Sequence, residues 1–306
     1  MTLAALALIA TACGTDGTGG TQQSGPLIVV TTTILGNVVD NLVDGAARVE
    51  IIMPVGADPH DFQASAQQAE LIREADLLVA NGLGLEEGLL DVIEAAEADG
   101  ATVLELAPLL DPLPSAEYRQ NEGEEHRGGE DPHFWQDPVR MAQAVQIITG
   151  RLAQLDSGVS AEEWTERAES YAAQIMVAHA ENEATLSAIP VERRKMVTNH
   201  DAFGYFADRY NFELIGVVIP GGSTLAEPSA GEIAELVGEM KRQDVRAIFA
   251  ENTDPSVLAE AVAAELGDAV VVVRLFTDSL GEPGSPADTY IGMIKENATL
   301  VAGALA

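Results

Sequence analysis

Short apolar strand patterns alternate with amphipathic helix patterns along most of this chain. One run of this alternation extends from Leu27 to Leu106, and a second extends from Lys195 to Leu275 and is followed by a last helix. Strands that alternate with helices are typical of parallel sheets covered by helices on both faces. The sequence therefore predicts an α/β fold with two lobes, each a mainly parallel sheet covered by helices.

The alternation stops between the two runs. Residues 107–131 combine glycines with many acidic residues, which indicates a loop. A helix follows, with Asp137 as its N-cap and Pro138 at its first position. The next segment, Ala161–Ile189, has no proline or glycine, and a helix of about 28 residues would be about 42 Å long. We expect it to lie within a rigid connection over residues 159–190 that joins an N-terminal lobe, residues 26–158, to a C-terminal lobe, residues 191–306.

Residues 1–25 have the composition of an export segment followed by a flexible spacer. Leu3–Ala12 is an apolar stretch of about ten residues, too short to span a bilayer, which takes about 20, but typical of a secretory signal. The Gly- and Thr-rich residues after Cys13 are typical of a flexible linker. We therefore expect an exported protein, located in the periplasm or at the cell surface.

The residues around Cys13 also predict a lipid anchor. Ala-Thr-Ala-Cys resembles the cleavage box of a bacterial lipoprotein, in which the cysteine becomes the lipid-bearing first residue. The box usually has leucine where Ala10 stands, and no basic residue precedes the apolar stretch. A plain cleaved signal peptide, with an incidental thiol, is the alternative to membrane attachment through Cys13.

Charge and composition exclude several classes of function. The chain has 49 acidic and 16 basic residues, so its formal net charge of −33 would repel phosphate backbones, and we expect no nucleic-acid partner. A single cysteine excludes a disulfide framework and a cysteine-based zinc site. Neither a Gly-x-Gly-x-x-Gly nor a Gly-Lys-Ser/Thr motif occurs, so a dinucleotide or P-loop site has no support.

Three of the five histidines, His60, His133 and His200, stand beside acidic residues or prolines. His60 and His200 follow predicted strands, as does Asp278, and ligands of open α/β sheets bind beyond the carboxyl ends of the strands. A neutral imidazole suits zinc, and a nearby carboxylate can hold its other ring nitrogen. The candidates for that orienting role are Asp58, Asp61, Asp131, Asp137 and Asp201. The residues alone leave open whether these side chains form one metal site or are unrelated loop histidines.

Segments around these residues also resemble a known family. They are Met53–His60, Asp131–Pro138, His200–Phe206, Glu251 and a tail that includes Asp278–Gly281, Thr289–Tyr290 and Asn297. In order and spacing they are similar to the ABC-transporter solute-binding proteins that capture zinc or manganese outside the cytoplasmic membrane (cluster A-I metal-binding lipoproteins). The resemblance covers about residues 27–306. It implies two α/β lobes joined by one long rigid helix, with a metal held in the cleft between them.

The resemblance also implies the ligands and the partners. By position, the metal ligands would be His60 and His133 from the first lobe, with His200 and Asp278 from the second. The protein would act as a monomer that delivers its metal to an ABC-transporter membrane permease. A metallochaperone is a further candidate partner.

The third ligand position favours zinc(II) as the transported ion. In manganese members of the family, a glutamate commonly stands where His200 stands here. Three imidazoles and one carboxylate suit tetrahedral zinc, whereas oxygen ligands suit manganese, which remains the alternative. Many zinc members carry a histidine-rich loop before the second ligand, but residues 119–131 hold only His126 among glutamates. Metal scavenging by this loop is therefore not expected.

Two other classes of function use the same residues, namely a secreted zinc hydrolase and a metal-stabilised surface adhesin. A catalytic zinc keeps an open position for water, whereas four protein ligands close the shell. Neither His-Glu-x-x-His nor Gly-x-Ser-x-Gly occurs, so we expect a binding protein and no enzyme. We expect His179 to be a structural residue of the long helix, and Glu251 to have a structural or orienting role.

Overall fold

The computed structural model describes residues 25–115, 129–253, 255–267 and 270–306. Cys13, His126 and the predicted export segment lie outside the described residues. The described residues form eight strands, β1 (Leu27–Val30), β2 (Arg48–Ile51), β3 (Leu77–Ala80), β4 (Val103–Glu105), β5 (Lys195–Thr198), β6 (Glu213–Val217), β7 (Ala247–Glu251) and β8 (Val271–Leu275).

Nine α-helices lie among the described residues. They are α1 (Thr33–Val43), α2 (Ala66–Glu74), α3 (Leu90–Ala98), α4 (Pro138–Leu152), α5 (Ala161–Ser187), α6 (Gly204–Tyr210), α7 (Ala230–Gln243), α8 (Val257–Leu266) and α9 (Tyr290–Leu305). In the described part of the chain, no helix combines the length and apolar character needed to cross a bilayer.

The strands form two separate parallel sheets with the same order of connection. The first sheet has the order β2-β1-β3-β4, and the second has the order β6-β5-β7-β8. The central strands β3 and β7 are buried along their whole length, as expected for parallel strands covered on both faces. The predicted α/β fold with two lobes is therefore confirmed.

The common strand order determines where each lobe can bind a ligand. Along the chain, the order of each sheet reverses direction between its two central strands, β1 and β3 in the first and β5 and β7 in the second. At such a reversal the loops after the two strands diverge and leave a crevice at the carboxyl ends. The segment after β1 contacts the second lobe directly, since the Thr33 hydroxyl accepts a hydrogen bond from the backbone N–H of Leu280 at 3.0 Å.

The predicted long helix is present as α5. It begins at the N-cap Ser160, whose hydroxyl accepts a hydrogen bond from the backbone N–H of Glu163. Its early residues, including Trp164 and Tyr171, pack into the core of the first lobe, whereas Leu186 packs into the core of the second. This helix therefore contributes side chains to both lobes.

The C-terminal helix α9 also bridges the lobes, which the sequence did not predict. Tyr290 and Met293 pack into the first core, and Val301 and Leu305 pack into the second. Helices α5 and α9 therefore each contribute side chains to both cores. The limits of the lobes at residues 26–158, 159–190 and 191–306 stay a prediction.

Candidate metal centre

The four predicted ligands come from loops beyond the carboxyl ends of strands. His60 follows β2 and His133 lies beyond β4, while His200 follows β5 and Asp278 follows β8. Each side chain offers one ligand atom, and these atoms all lie within 4.8 Å of one another. All four residues are buried, with exposed fractions between 0% and 3%. The structure therefore brings the four side chains into one group between the lobes.

The distances between the donor atoms suit a single ion. His133 Nε2 lies 3.2 Å from His200 Nε2, and Asp278 Oδ1 and Oδ2 lie 3.9 Å and 3.7 Å from these two nitrogens, respectively. Tetrahedral zinc, with zinc–nitrogen bonds of about 2.0–2.1 Å, places its donors about 3.3 Å apart. Among the described residues, the His60 ring nitrogens and both Asp278 oxygens have no hydrogen-bond partner. Buried nitrogen and oxygen atoms without hydrogen-bond partners are expected at a cation site, because the bound cation takes the place of those partners.

Carboxylates orient two of the imidazoles. Asp131 Oδ1 lies 2.9 Å from His133 Nδ1, and Glu251 Oε1 lies 2.5 Å from His200 Nδ1. The same oxygens also accept hydrogen bonds from the backbone N–H groups of His133 and His200. A carboxylate that holds Nδ1 fixes the orientation of the ring and leaves Nε2 for a metal. Glu251 thus has the orienting contact that we expected of it.

Two of the other candidate acids contact the protein backbone and the opposite lobe instead. Asp58 accepts hydrogen bonds from the backbone N–H of His60 at 2.9 Å and from the Thr224 hydroxyl at 2.5 Å. Asp137 caps α4, as the sequence predicted, and forms a bidentate ion pair with Arg209 of the second lobe. Both residues therefore hold the lobes together near the site.

Burial and charge give the imidazoles different affinities for protons. Burial lowers the pKa of His60 to about 2 and that of His133 to about 3, and the other imidazoles of the group add to the effect. Burial also disfavours protonated His200, but the carboxylates of Glu251 and Asp278 outweigh it and raise its pKa to about 10. Burial raises the pKa of Asp278, against the charge of His200. A metal entering the site must therefore displace a proton from the second-lobe side.

Hydrogen bonds fix the Asp278 segment to the first lobe. The Trp135 indole N–H donates to the carbonyl of Thr277 at 2.7 Å, and the backbone N–H of Gly56 donates to the Ser279 hydroxyl at 2.8 Å. These bonds lie on both sides of Asp278 along the chain. The cleft is therefore closed over the four candidate ligands.

Sequence reasoning missed a buried carboxylate beneath the first-lobe side of the site. Glu86 is 1% exposed and accepts hydrogen bonds from the Thr31 hydroxyl and from the backbone N–H groups of Asn81 and Gly82. The signal available in the sequence was a polar residue directly after each of two apolar strands, Thr31 after β1 and Asn81 after β3. Both residues form hydrogen bonds with Glu86.

His179 lies outside the group of four. It belongs to α5, and its Nδ1 lies 3.2 Å from the Tyr210 hydroxyl, as expected for a structural residue.

Comparisons with known proteins decide the family. Residues 28–304 match the family described as zinc-uptake complex component A, periplasmic. The chain belongs to this zinc-uptake component A family.

Two relatives of this chain are similar to it over most of their length. The zinc-binding protein TroA of Treponema pallidum is 32% identical over 285 residues, which cover 92% of this chain and 89% of TroA. The manganese-binding lipoprotein MntA of Halalkalibacterium halodurans is 31% identical over 300 residues, which cover 97% of this chain and 95% of MntA. The solved structure of TroA superposes with a TM-score of 0.81, at 31% identity, over 92% of this chain and 99% of TroA.

Membership of the zinc-uptake component A family confirms the predicted class of protein. The chain is a substrate-binding protein of a metal ABC transporter, and it is not an enzyme. Its relatives include proteins named for zinc and proteins named for manganese. The comparisons therefore identify a divalent metal as the class of ligand.

Proposed function

We propose that this protein captures zinc(II) between its lobes and delivers it to the membrane permease of an ABC importer. The observation that carries the proposal is the group of four buried donor atoms within 4.8 Å of one another. His60 and His133 would bind the ion from the first lobe, and His200 and Asp278 from the second. Because both lobes supply ligands, a bound ion would hold the cleft closed.

The donor set supports zinc over manganese. Three imidazole nitrogens and one carboxylate oxygen match the ligands of tetrahedral zinc. Nitrogen-rich sites also bind zinc more tightly than manganese in the general order of affinities, whereas manganese prefers oxygen ligands. Manganese is the second candidate, since a relative of 31% identity is named as a manganese-binding lipoprotein.

Release of the ion would require the lobes to separate slightly when the permease binds. The segment that carries Asp278 is the candidate for this movement, because hydrogen bonds of Thr277, Ser279 and Leu280 join it to the first lobe. Loss of one or two ligands would leave an incomplete shell that holds zinc weakly. The ABC permease is therefore proposed as the partner that triggers release.

We also propose that the protein is an exported monomer anchored to the membrane through Cys13. A relative that covers 97% of this chain is named as a lipoprotein, which supports the interpretation of the Ala-Thr-Ala-Cys sequence. In cells, Cys13→Ser should move the protein from the membrane pellet to the soluble fraction, and unchanged membrane attachment would contradict the anchor. Light scattering of the purified chain should give the mass of one copy.

The proposed ligand is tested by competitive titration of the chelator-stripped chain with zinc and manganese, read as bound metal per chain. We expect one zinc per chain that excess manganese does not displace. Displacement by manganese would contradict the choice of zinc and leave the transport function intact. Absence of tightly bound metal would contradict the site itself.

A further inference from the structure

In the proposed site, two of the three imidazoles have a carboxylate within hydrogen-bond distance of Nδ1, and the third, His60, does not. Asp131 faces Nδ1 of His133 at 2.9 Å, and Glu251 faces Nδ1 of His200 at 2.5 Å. The Nδ1 atom of His60 also faces a carboxylate, Glu87 Oε1, at a distance of 3.6 Å. This distance exceeds the usual range for a hydrogen bond, which is about 2.7–3.2 Å for N–H···O.

The local fold holds Glu87 opposite His60. Glu87 begins a short 3-10 helix, Glu87–Leu89, and the backbone of Gly88 packs directly against Phe62 in the loop of His60. A Cβ atom at Gly88 would overlap with the carbonyl oxygen of Phe62, so a glycine is required for this close approach. The preceding residue, Glu86, anchors the segment from beneath through its hydrogen bonds to Thr31 and Asn81.

Glu87 differs from the other two carboxylates in its exposure. The Asp131 and Glu251 side chains are 0% exposed, whereas that of Glu87 is 39% exposed and that of His60 is 1% exposed. Glu87 and His60 both line a cavity of about 230 Å³ that also includes Glu130 and Asp201. Glu87 therefore lies between a buried imidazole and the solvent at the mouth of the cleft.

We propose that Glu87 is the positioning residue for His60 and controls how long the metal is retained. When Nε2 of His60 binds an ion, its Nδ1 carries a proton and needs an acceptor, since a buried N–H without a partner is costly. A shift of about 0.6 Å would bring Glu87 Oε1 into hydrogen-bond distance. This proposal rests on the proposed function, because it requires His60 to be a metal ligand.

The exposure of Glu87 gives this contact a role that the buried carboxylates lack. Water competes for an exposed carboxylate, so the Glu87–His60 bond is the weakest of the three. His60 is therefore the imidazole that lets the ion go first when the cleft opens. Loss of the Glu87–His60 hydrogen bond would speed dissociation of the metal more than it would slow association.

The experiment measures the association and dissociation rates of zinc by stopped-flow with a fluorescent chelator. The variants are Glu87→Ala, Glu87→Gln and the matched control Glu130→Ala, which removes a charge from the same cavity. Loss of a carboxylate that orients a metal-bound histidine typically costs about 10–100-fold in affinity. We expect Glu87→Ala to dissociate zinc at least about tenfold faster, Glu87→Gln to recover most of the loss through its amide oxygen, and Glu130→Ala to keep the wild-type dissociation rate.

Four results would overturn the proposal. Equal slowing of association in Glu87→Ala and Glu130→Ala, with unchanged dissociation, would mean that Glu87 only attracts cations. Identical rates in Glu87→Gln and Glu87→Ala would exclude the hydrogen bond. A wild-type protein that holds no zinc would contradict the proposed function as well, whereas wild-type retention in Glu87→Ala would contradict this inference alone.

Discussion

The two lobes have sheets of the same strand order, yet they present chemically different halves of the site. The first lobe supplies His60 and His133, whose pKa values are lowered to about 2 and 3, so both rings are neutral at physiological pH. The second lobe supplies His200, with its pKa raised to about 10, beside Asp278. The common topology thus places the donors, while burial and the neighbouring charges together decide which of them holds a proton.

This difference suggests a division of tasks. Neutral imidazoles can accept an ion without losing a proton, whereas the second-lobe pair must release one first. The first-lobe half is therefore ready to bind, and the second-lobe half responds to pH and to changes in its surroundings. The following predictions test that division, beginning with the largest expected effect.

Removal of a ligand from either lobe should cause the largest loss of affinity. Structural zinc sites with four ligands have binding free energies of about 10–16 kcal/mol, or about 3 kcal/mol per ligand, which corresponds to about 100-fold in affinity. We expect His133→Ala and Asp278→Ala each to weaken zinc binding by about this factor, measured by competition with a chelator. Asp278→Ala with wild-type affinity would remove Asp278 from the ligands and leave the second lobe with His200 alone.

Removal of the carboxylate beside His200 should have a smaller effect with a distinct signature. Glu251→Gln keeps the size of the side chain and removes the charge that raises the pKa of His200. We expect affinity for zinc to fall by about tenfold or somewhat more at neutral pH. The pH profile of zinc binding should also become flatter. Asp131→Asn is the matched first-lobe variant, and an equal flattening there would contradict the difference between the lobes.

The wild-type protein should bind zinc more tightly as pH rises. A proton on His200 competes with the ion, so affinity should increase by up to about tenfold per pH unit until pH approaches about 10. Calorimetry at pH 7.5 in buffers of different ionisation enthalpy should detect the released proton. A flat profile of zinc affinity above neutral pH would show that His200 and Asp278 are already deprotonated.

The metal-free protein should show a separate effect on stability. The raised pKa of His200 stabilises the fold below the unfolded value of 6.5, and this contribution is lost as pH rises toward about 10.

The smallest effect is expected at His126. It is the single histidine of the acidic loop over residues 119–131. We expect His126→Ala to keep zinc affinity within about twofold, since the four buried donors already complete a tetrahedral shell. A large loss in the same chelator assay would mean that His126 also binds the ion.

The elements of the fold could be predicted because parallel strands have short, continuous apolar patterns. The strand Leu77–Ala80 is an example, since all four of its residues are apolar and all four are buried. His60, His200 and Asp278 could be named as candidates because each follows a predicted strand, but the residues alone left open whether they form one site. The sequence could not show which acids reach the imidazoles, because Glu251 and His200 are distant in the chain and meet only through the pairing of β5 with β7.

The bridging role of α9 was hidden for a related reason. Its apolar residues, such as Tyr290, Met293 and Val301, have the spacing of any helix that packs on one core. Only the relative placement of the two sheets shows that the early part of this helix packs on one lobe and the later part on the other. Periodicity shows which face of a helix is buried, but it does not show which lobe that face packs against.

The sharing of α5 and α9 between the two cores has a consequence for how the protein unfolds. Because α5 and α9 each contribute side chains to both hydrophobic cores, loss of either core would expose apolar residues on the helices that the other core needs. The two lobes are therefore thermodynamically dependent, and denaturant should give one cooperative transition with coincident fluorescence and circular dichroism signals. A mutation deep in one sheet would then lower the melting temperature of the whole molecule.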